Sequence, residues 1–191
     1  MAVRVVIADD EAIARLDIKE CLEQHGYEVV GLAEDGFDAI SLCSQLSPDL
    51  VILDIKMPVL DGLSAAKTIW EGNLAGCIVL ATAYSDSKFI EAAKSHGVMG
   101  YIVKPIDSRS LIPAIEVAVA RSKEFLNLKK EIEKAEEKLE ERKLVERAKG
   151  ILMKERNISE KDAYEYIRLL SMKKGVPMKK IAELLILSSK Y

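Results

Sequence analysis

Along the first two thirds of the chain, short apolar runs alternate with segments of helical spacing. The runs Val3–Ala8, Tyr27–Ala33, Val51–Leu53, Cys77–Ala81 and Val98–Val103 are rich in β-branched residues and predict strands. Between them, residues 12–24 (with Ile13, Leu16 and Leu22), Phe37–Leu46, Leu63–Trp70 and Lys88–Ser95 predict helices. Gly26, Ser47-Pro48-Asp49, Gly72, Gly76 and His96-Gly97 punctuate the transitions. A further helix begins near Ser108–Leu111, where Pro113 is tolerable only in the first turn. Five strands in strict alternation with helices predict an α/β fold, a doubly wound parallel sheet with helices on both faces. The wholly apolar run Val51-Ile52-Leu53 suits a strand covered on both sides.

From Leu111 the helical pattern continues without a clear stop to Arg156-Asn157. Within it, Phe125, Leu128, Ile132, Ala135 and Leu139 follow a 4-3 spacing with Lys and Glu between them, a short coiled-coil seam or a solvated linker helix. Ser159, followed three residues later by Asp162, reads as a capping box opening a new helix that runs to Lys174. Gly175 ends it and Pro177 opens another. The tail is therefore a small all-α module, with apolar faces at Val145, Ala148 and Leu152, at Ile167 and Leu170, and at Ile181 and Leu185.

Charge divides the chain at about the same place. Residues 1–120 hold 9 Lys+Arg against 18 Asp+Glu, whereas residues 121–191 hold 19 against 13. An acidic first module suits cations, and a basic second one suits polyanions. Hydrophobic residues make up 49% of the 191, enough for a core, yet no run approaches a membrane span, and the residues before the first strand lead to the expectation of no signal peptide. Cys21, Cys43 and Cys77 have no metal-binding spacing and read as cytosolic thiols.

Chemistry concentrates at strand ends. Asp9-Asp10 follow the first strand, Asp54 the third, Thr82 the fourth and Lys104 the fifth. The carboxyl ends of a doubly wound sheet converge on one crevice. Clustered carboxylates there favour a hard cation such as Mg²⁺. A carboxylate beside it can attack phosphorus and form an aspartyl phosphate, with Lys104 pairing to phosphoryl oxygens and Thr82 donating a hydrogen bond. Pro58 and Asp61-Gly62 turn the chain sharply after Asp54.

These residues carry a resemblance. Asp9-Asp10-Glu11, the LDIKMPVLDG run, Thr82-Ala83-Tyr84, and Tyr101 with Lys104-Pro105 resemble the receiver domain of two-component response regulators. The resemblance implies a flavodoxin-like sheet in the order 2-1-3-4-5 and Asp54 as the phosphoacceptor. It implies Mg²⁺ held by Asp10, Asp54 and the Lys56 carbonyl, with Asp9 assisting through water. Thr82 and Tyr101 would form a switch pair, and Lys104-Pro105 a cis peptide. Haloacid-dehalogenase phosphatases also use a strand-end aspartate, but they carry a second Asp where this chain has Lys56, so an enzyme is not expected. His25 and His96 both precede glycine at helix ends and read as cap-region residues.

In the tail, Arg142, Lys149 and Arg156 recur every seven residues and so share one helical face, either a phosphate-binding stripe or a solvated one. Tyr164 and Tyr166 offer rings for stacking on bases or for the core. Ala148-Lys149-Gly150-Ile151-Leu152-Met153, with Ala163-Tyr164, Arg168, Met172 and Ile181-Ala182, is similar to the ANTAR module of transcription antitermination regulators. Ser171 departs from that family, which usually has alanine there. The resemblance implies RNA contacts at Ala148, Lys149, Gly150, Ala163, Tyr164 and Arg168, joined by Arg142 from the stripe.

The expected organisation is a receiver over residues 1–120, a helical linker over 121–142 and an ANTAR module over 143–191. The expected protein is a cytoplasmic regulator phosphorylated by a sensor histidine kinase. It would form a homodimer on phosphorylation, bind hairpins in messenger-RNA leaders and act in antitermination. The alternative is a phosphorylation-controlled coiled-coil module that binds no nucleic acid.

Overall fold

The structure, a computed structural model, describes residues 2–83 and 97–188; the expected helix Lys88–Ser95 lies outside them. Five strands, β1 (Arg4–Ala8), β2 (Glu28–Ala33), β3 (Leu50–Asp54), β4 (Ile78–Thr82) and β5 (Val98–Val103), form one parallel sheet in the order β2-β1-β3-β4-β5. The described helices are α1 (Ala12–Gln24), α2 (Gly36–Leu46), α3 (Gly62–Glu71), α4 (Ser108–Arg156), α5 (Glu160–Lys174) and α6 (Met178–Ser188). The chain divides into one compact unit over residues 1–126 and another over 127–191.

Side chains alternate across a strand, and both faces of this sheet are covered. Val6, Ala8, Val51, Leu53, Ile78 and Leu80 face one core, completed by Ala39 and Cys43 of α2 and Ala65, Ala66 and Ile69 of α3. Val5, Ile7, Leu50, Ile52, Val79 and Ala81 face the other, against Ile18 and Leu22 of α1 and Leu111, Ile115 and Ala118 of α4. Every residue of β3 and β4 is buried, as central strands require. Each large aliphatic side chain so buried contributes about 1.5–3 kcal/mol. Burial also pushes the Cys43 and Cys77 thiols up to about 12, so both are inert packing groups at neutral pH.

Strand and helix ends differ from the sequence expectation by a residue or so. Tyr27 precedes β2, and Thr82 is the last residue of β4. Pro113 is the larger departure. It is the sixth residue of α4, beyond the first turn, and the helix continues through it. Its ring nitrogen cannot donate to the Arg109 carbonyl, a loss that falls at an exposed residue.

In the second unit, the end of α4 packs with α5 and α6. Val145, Ala148, Leu152, Ala163, Ile167, Ile181, Ala182 and Ile186 are its buried core. Ala148, Ala163 and Ala182, one on each helix, are fully buried; their small size lets the backbones approach. Ser159 caps α5 by accepting from the Asp162 amide, and Gly175 ends it in the left-handed region at φ 65°. No described helix is both long and apolar enough to cross a membrane.

Candidate functional site

Sheet register assembles the site. Ala8 pairs with Leu53, so Asp9 and Asp54 emerge side by side; Asp54 pairs with Ala81, and Thr82 with Val103, which brings Thr82 and Lys104 to the same edge. Asp9, Asp10 and Asp54 each place a carboxylate oxygen within 4.8 Å of the others. Asp9 and Asp54 are buried, whereas Asp10 is exposed. A cavity of about 260 Å³ opens between them, lined by Asp10, Glu11, Asp54, Ile55, Lys56, Thr82, Ala83 and Lys104.

The Lys104 ammonium lies 2.7 Å from Asp9 Oδ2 and 3.1 Å from Asp54 Oδ1. Burial alone would lower the Lys104 pKa; the hydrogen bonds to Asp9 and Asp54 outweigh it, and the group is held above its ordinary value. Asp54 is pushed above its ordinary value, chiefly by burial and further by the charges of Asp9 and Asp10, against the opposing pull of Lys104. The Lys104–Pro105 peptide is cis, and the Lys104 amide donates to the Thr82 carbonyl at 2.8 Å.

Local backbone serves this geometry. α1 has no side-chain cap; instead Asp9 Oδ1 accepts from the Glu11 amide at 3.0 Å, which turns the acidic loop over the strand end. After Asp54, Asp61 caps α3 by accepting from the Ser64 amide at 2.8 Å. A Cβ on Gly62 would lie 1.9 Å from the Asp54 carbonyl oxygen, so only glycine lets α3 start against the end of β3. Val59, in the intervening loop, holds a left-handed φ of 64°, a costly conformation for a β-branched residue.

Arg15 was not foreseen. It is buried on α1, donating to the Asp9 carbonyl and, at 3.0 Å, to Glu34. It ties the acidic loop to the loop after β2. A lone arginine in an amphipathic helix carries no sequence signal of this; only its place one turn beyond Asp9-Asp10 hints at it. Tyr101 is half exposed on β5, while Thr82 is buried at the cavity.

In the helical unit the expected residues separate. Ala148 and Ala163 have no exposed surface, and Lys149 is only 6% exposed. Lys149 does not share the solvent with Arg142 and Arg156; it binds Glu146 at 2.8 Å and Glu160 at 2.7 Å, joining α4 to the start of α5. These three residues hold the unit together and leave a ligand almost nothing to touch in this conformation. Arg142, Tyr164 and Arg168 are exposed, and Gly150 adjoins open space. Tyr166 is half-buried beneath the Arg156 guanidinium, 4.3 Å from the ring centre. The Ser171 hydroxyl turns inward and donates to the Val176 carbonyl.

A flavodoxin-like parallel sheet with this acidic trio and lysine at its carboxyl edge defines a receiver-type signalling domain. Comparison with known proteins agrees. Residues 5–116 match the response regulator receiver domain and residues 133–186 the ANTAR domain. The chain belongs to the response regulators of two-component systems, with a receiver followed by an ANTAR domain. It is 45% identical over 183 residues to the transcriptional regulatory protein PdtaR of Mycobacterium tuberculosis, covering 96% of this chain and 89% of that one. It is 37% identical over 115 residues to the chemotaxis protein CheY of Bacillus subtilis, covering 60% of this chain and 96% of that one. Among solved structures, the receiver domain of a modulated diguanylate cyclase from Desulfovibrio desulfuricans superposes with a TM-score of 0.59 at 29% identity, over 64% of this chain and 98% of that one.

Proposed function

We propose that this response regulator is a cytoplasmic, phosphorylation-switched antiterminator that binds structured hairpins in messenger-RNA leaders. The observation that carries the reading is the coupling, in one polypeptide, of a buried Asp54 facing an acidic cavity with a module of the ANTAR family. The relative named a transcriptional regulatory protein supports the output.

The phosphoryl donor is a phosphohistidine on a sensor kinase. An Asp54 carboxylate oxygen attacks phosphorus; the new P–O bond forms as the P–N bond breaks, and the histidine nitrogen leaves with the bonding pair. Three clustered carboxylates suit a hard cation, and Asp10, Asp54 and the Lys56 carbonyl, with Asp9 through water, would hold Mg²⁺. When bound, that ion neutralises phosphoryl oxygens and offsets the repulsion among the carboxylates. Lys104, 3.1 Å from Asp54, is placed to pair with a phosphoryl oxygen, and Thr82 to donate a hydrogen bond to another. Thr82 and the exposed Tyr101 then form the switch, the ring moving inward once Thr82 engages the phosphoryl group.

Dimerisation would follow through α4. Leu128, Ile132 and Leu139 are 52%, 59% and 54% exposed, an apolar seam at heptad spacing that a second copy would cover. RNA contacts are assigned to Arg142, Gly150, Tyr164 and Arg168, with Ala148, Lys149 and Ala163 supporting them from within. The same seam favours the second reading, a dimerisation output without nucleic acid.

RNA pull-down and sequencing with the whole protein, with and without a small phosphoryl donor and beside Asp54→Ala, tests this. Enrichment of leader hairpins that depends on both donor and Asp54 is the expected outcome. Recovery regardless of phosphorylation removes the switch. No enrichment from a protein that is phosphorylated leaves the dimerisation output.

A further inference from the structure

Two of the three cations in the heptad stripe are engaged within the fold: Lys149 by two glutamates and Arg156 by Tyr166. Arg142 remains exposed, and further positive charge of the helical unit lies outside the stripe. The eight residues from Lys173 to Lys180 contain four lysines, Lys173, Lys174, Lys179 and Lys180, and no acidic residue. All four are exposed. Among the described residues, Lys173 and Lys174 have no ion-pair partner. Lys180 meets Glu183 at 3.6 Å in solvent, a pairing worth little, and Lys179 lies within electrostatic reach of Glu140.

The turn that carries these lysines is fixed. The Gly175 amide donates to the Met172 carbonyl at 3.3 Å and the Val176 amide to the Ser171 carbonyl at 3.2 Å. The Ser171 hydroxyl closes the loop on the Val176 carbonyl, and Pro177 restrains the entry to α6. Like charges gathered within eight residues repel, and Lys179 and Lys180 stand in the first turn of α6, where the helix dipole disfavours cations. Binding to a polyanion relieves that repulsion. Of the apolar side chains within the turn, Val176 and Met178 are half-buried and Pro177 is exposed, so four charges surround one small apolar ring, a surface suited to phosphates. An aromatic ring for base stacking, Tyr164, is exposed on the same helix as the first lysine pair.

We propose that Lys173, Lys174, Lys179 and Lys180, presented by the locked α5–α6 turn, form a clamp on the RNA phosphate backbone. This rests on the RNA-binding reading above and names where its sequence-independent affinity resides. Ser171 pre-organises the clamp.

The test uses the phosphorylated full-length protein and a hairpin RNA recovered in the pull-down, with affinity read by fluorescence anisotropy across a salt series. The variant carries Lys173→Gln, Lys174→Gln, Lys179→Gln and Lys180→Gln together. Its affinity should fall by about tenfold or more near ~0.15 M salt, and the slope of log affinity against log salt should flatten by about 0.7–0.9 for each phosphate no longer neutralised. Ser171→Ala keeps the charges and loosens the turn; affinity should fall about two- to threefold at unchanged slope. Far-UV circular dichroism and Asp54 phosphorylation should match the parent chain. A folded variant with parental affinity and slope overturns the clamp while leaving RNA binding intact. Binding of poly-glutamate more tightly than of the RNA at equal charge concentration overturns it in favour of an acidic protein partner. A pull-down that recovers no hairpin overturns the RNA reading itself.

Discussion

Two lysines in this chain are each held by two carboxylates, and the two sites do opposite things. Lys104 bridges Asp9 and Asp54 at 2.7 and 3.1 Å; Lys149 bridges Glu146 and Glu160 at 2.8 and 2.7 Å. At the receiver site the carboxylates are the buried partners, with side chains 1% and 8% exposed, and the lysine is 22% exposed at a cavity. In the helical unit the lysine side chain is 8% exposed and those of its glutamates stand 55% and 68% in solvent. Buried acids repel one another and need a cation, so the first site suits a bound cation. Solvated acids need nothing, so the second site is a strut whose main contribution is the packed lysine stem.

The comparison breaks most visibly at Lys104. Lys104→Met leaves the buried Asp9 and Asp54 without their cation. The rate of phosphoryl uptake from a small donor should fall by about tenfold to a hundredfold, followed by intact-mass spectrometry. A rate within twofold of the parent chain would mean the ammonium is a bystander. At the strut, Lys149→Ala removes a buried stem and should destabilise the helical unit by roughly 1–2 kcal/mol in chemical denaturation. Lys149→Met keeps the stem and should recover most of that stability; no recovery would assign the strut to charge instead.

The smallest effect is in pH. Hydrogen bonding from Lys149 holds the Glu160 carboxyl below its ordinary range, and hydrogen bonds to Glu146 and Glu160 hold Lys149 above its own. A depressed carboxyl stabilises the fold above its unfolded-state pKa and loses that contribution as pH falls through the folded value. A raised lysine stabilises below its unfolded-state pKa and loses it only as pH rises past the folded value. The stability gap between the parent chain and Glu160→Gln should therefore be present at neutral pH and close on acidification. A gap unchanged into strong acid would contradict the pairing.

The strands and the receiver site were legible because their signals are local. Apolar β-branched runs announce β3 and β4, and Asp54, Thr82 and Lys104 stand at or just after strand ends, where parallel topology gathers them. The helical unit was legible as elements, from Ser159 as a cap and Gly175 as a stop, but not as a surface. Heptad spacing puts Arg142, Lys149 and Arg156 on one face of an isolated helix, yet the docking of α5 covers Lys149 and leaves the other two exposed. Arg15 was hidden for the same reason: no spacing reveals that its guanidinium reaches the Asp9 carbonyl.

By itself, then, the sequence determined the order of strands and helices, the receiver and ANTAR resemblances, and the cluster of acids at one sheet edge. These follow from periodicity and from motifs contained in single segments. Only the tertiary structure decided which lysine faces a cavity and which is a strut, that Ala148 and Ala163 are packing residues, that Gly62 must lack a side chain against Asp54, and that Ser171 locks a lysine-rich turn. Burial and hydrogen-bond partners come from other segments of the chain, and no single stretch of sequence contains them.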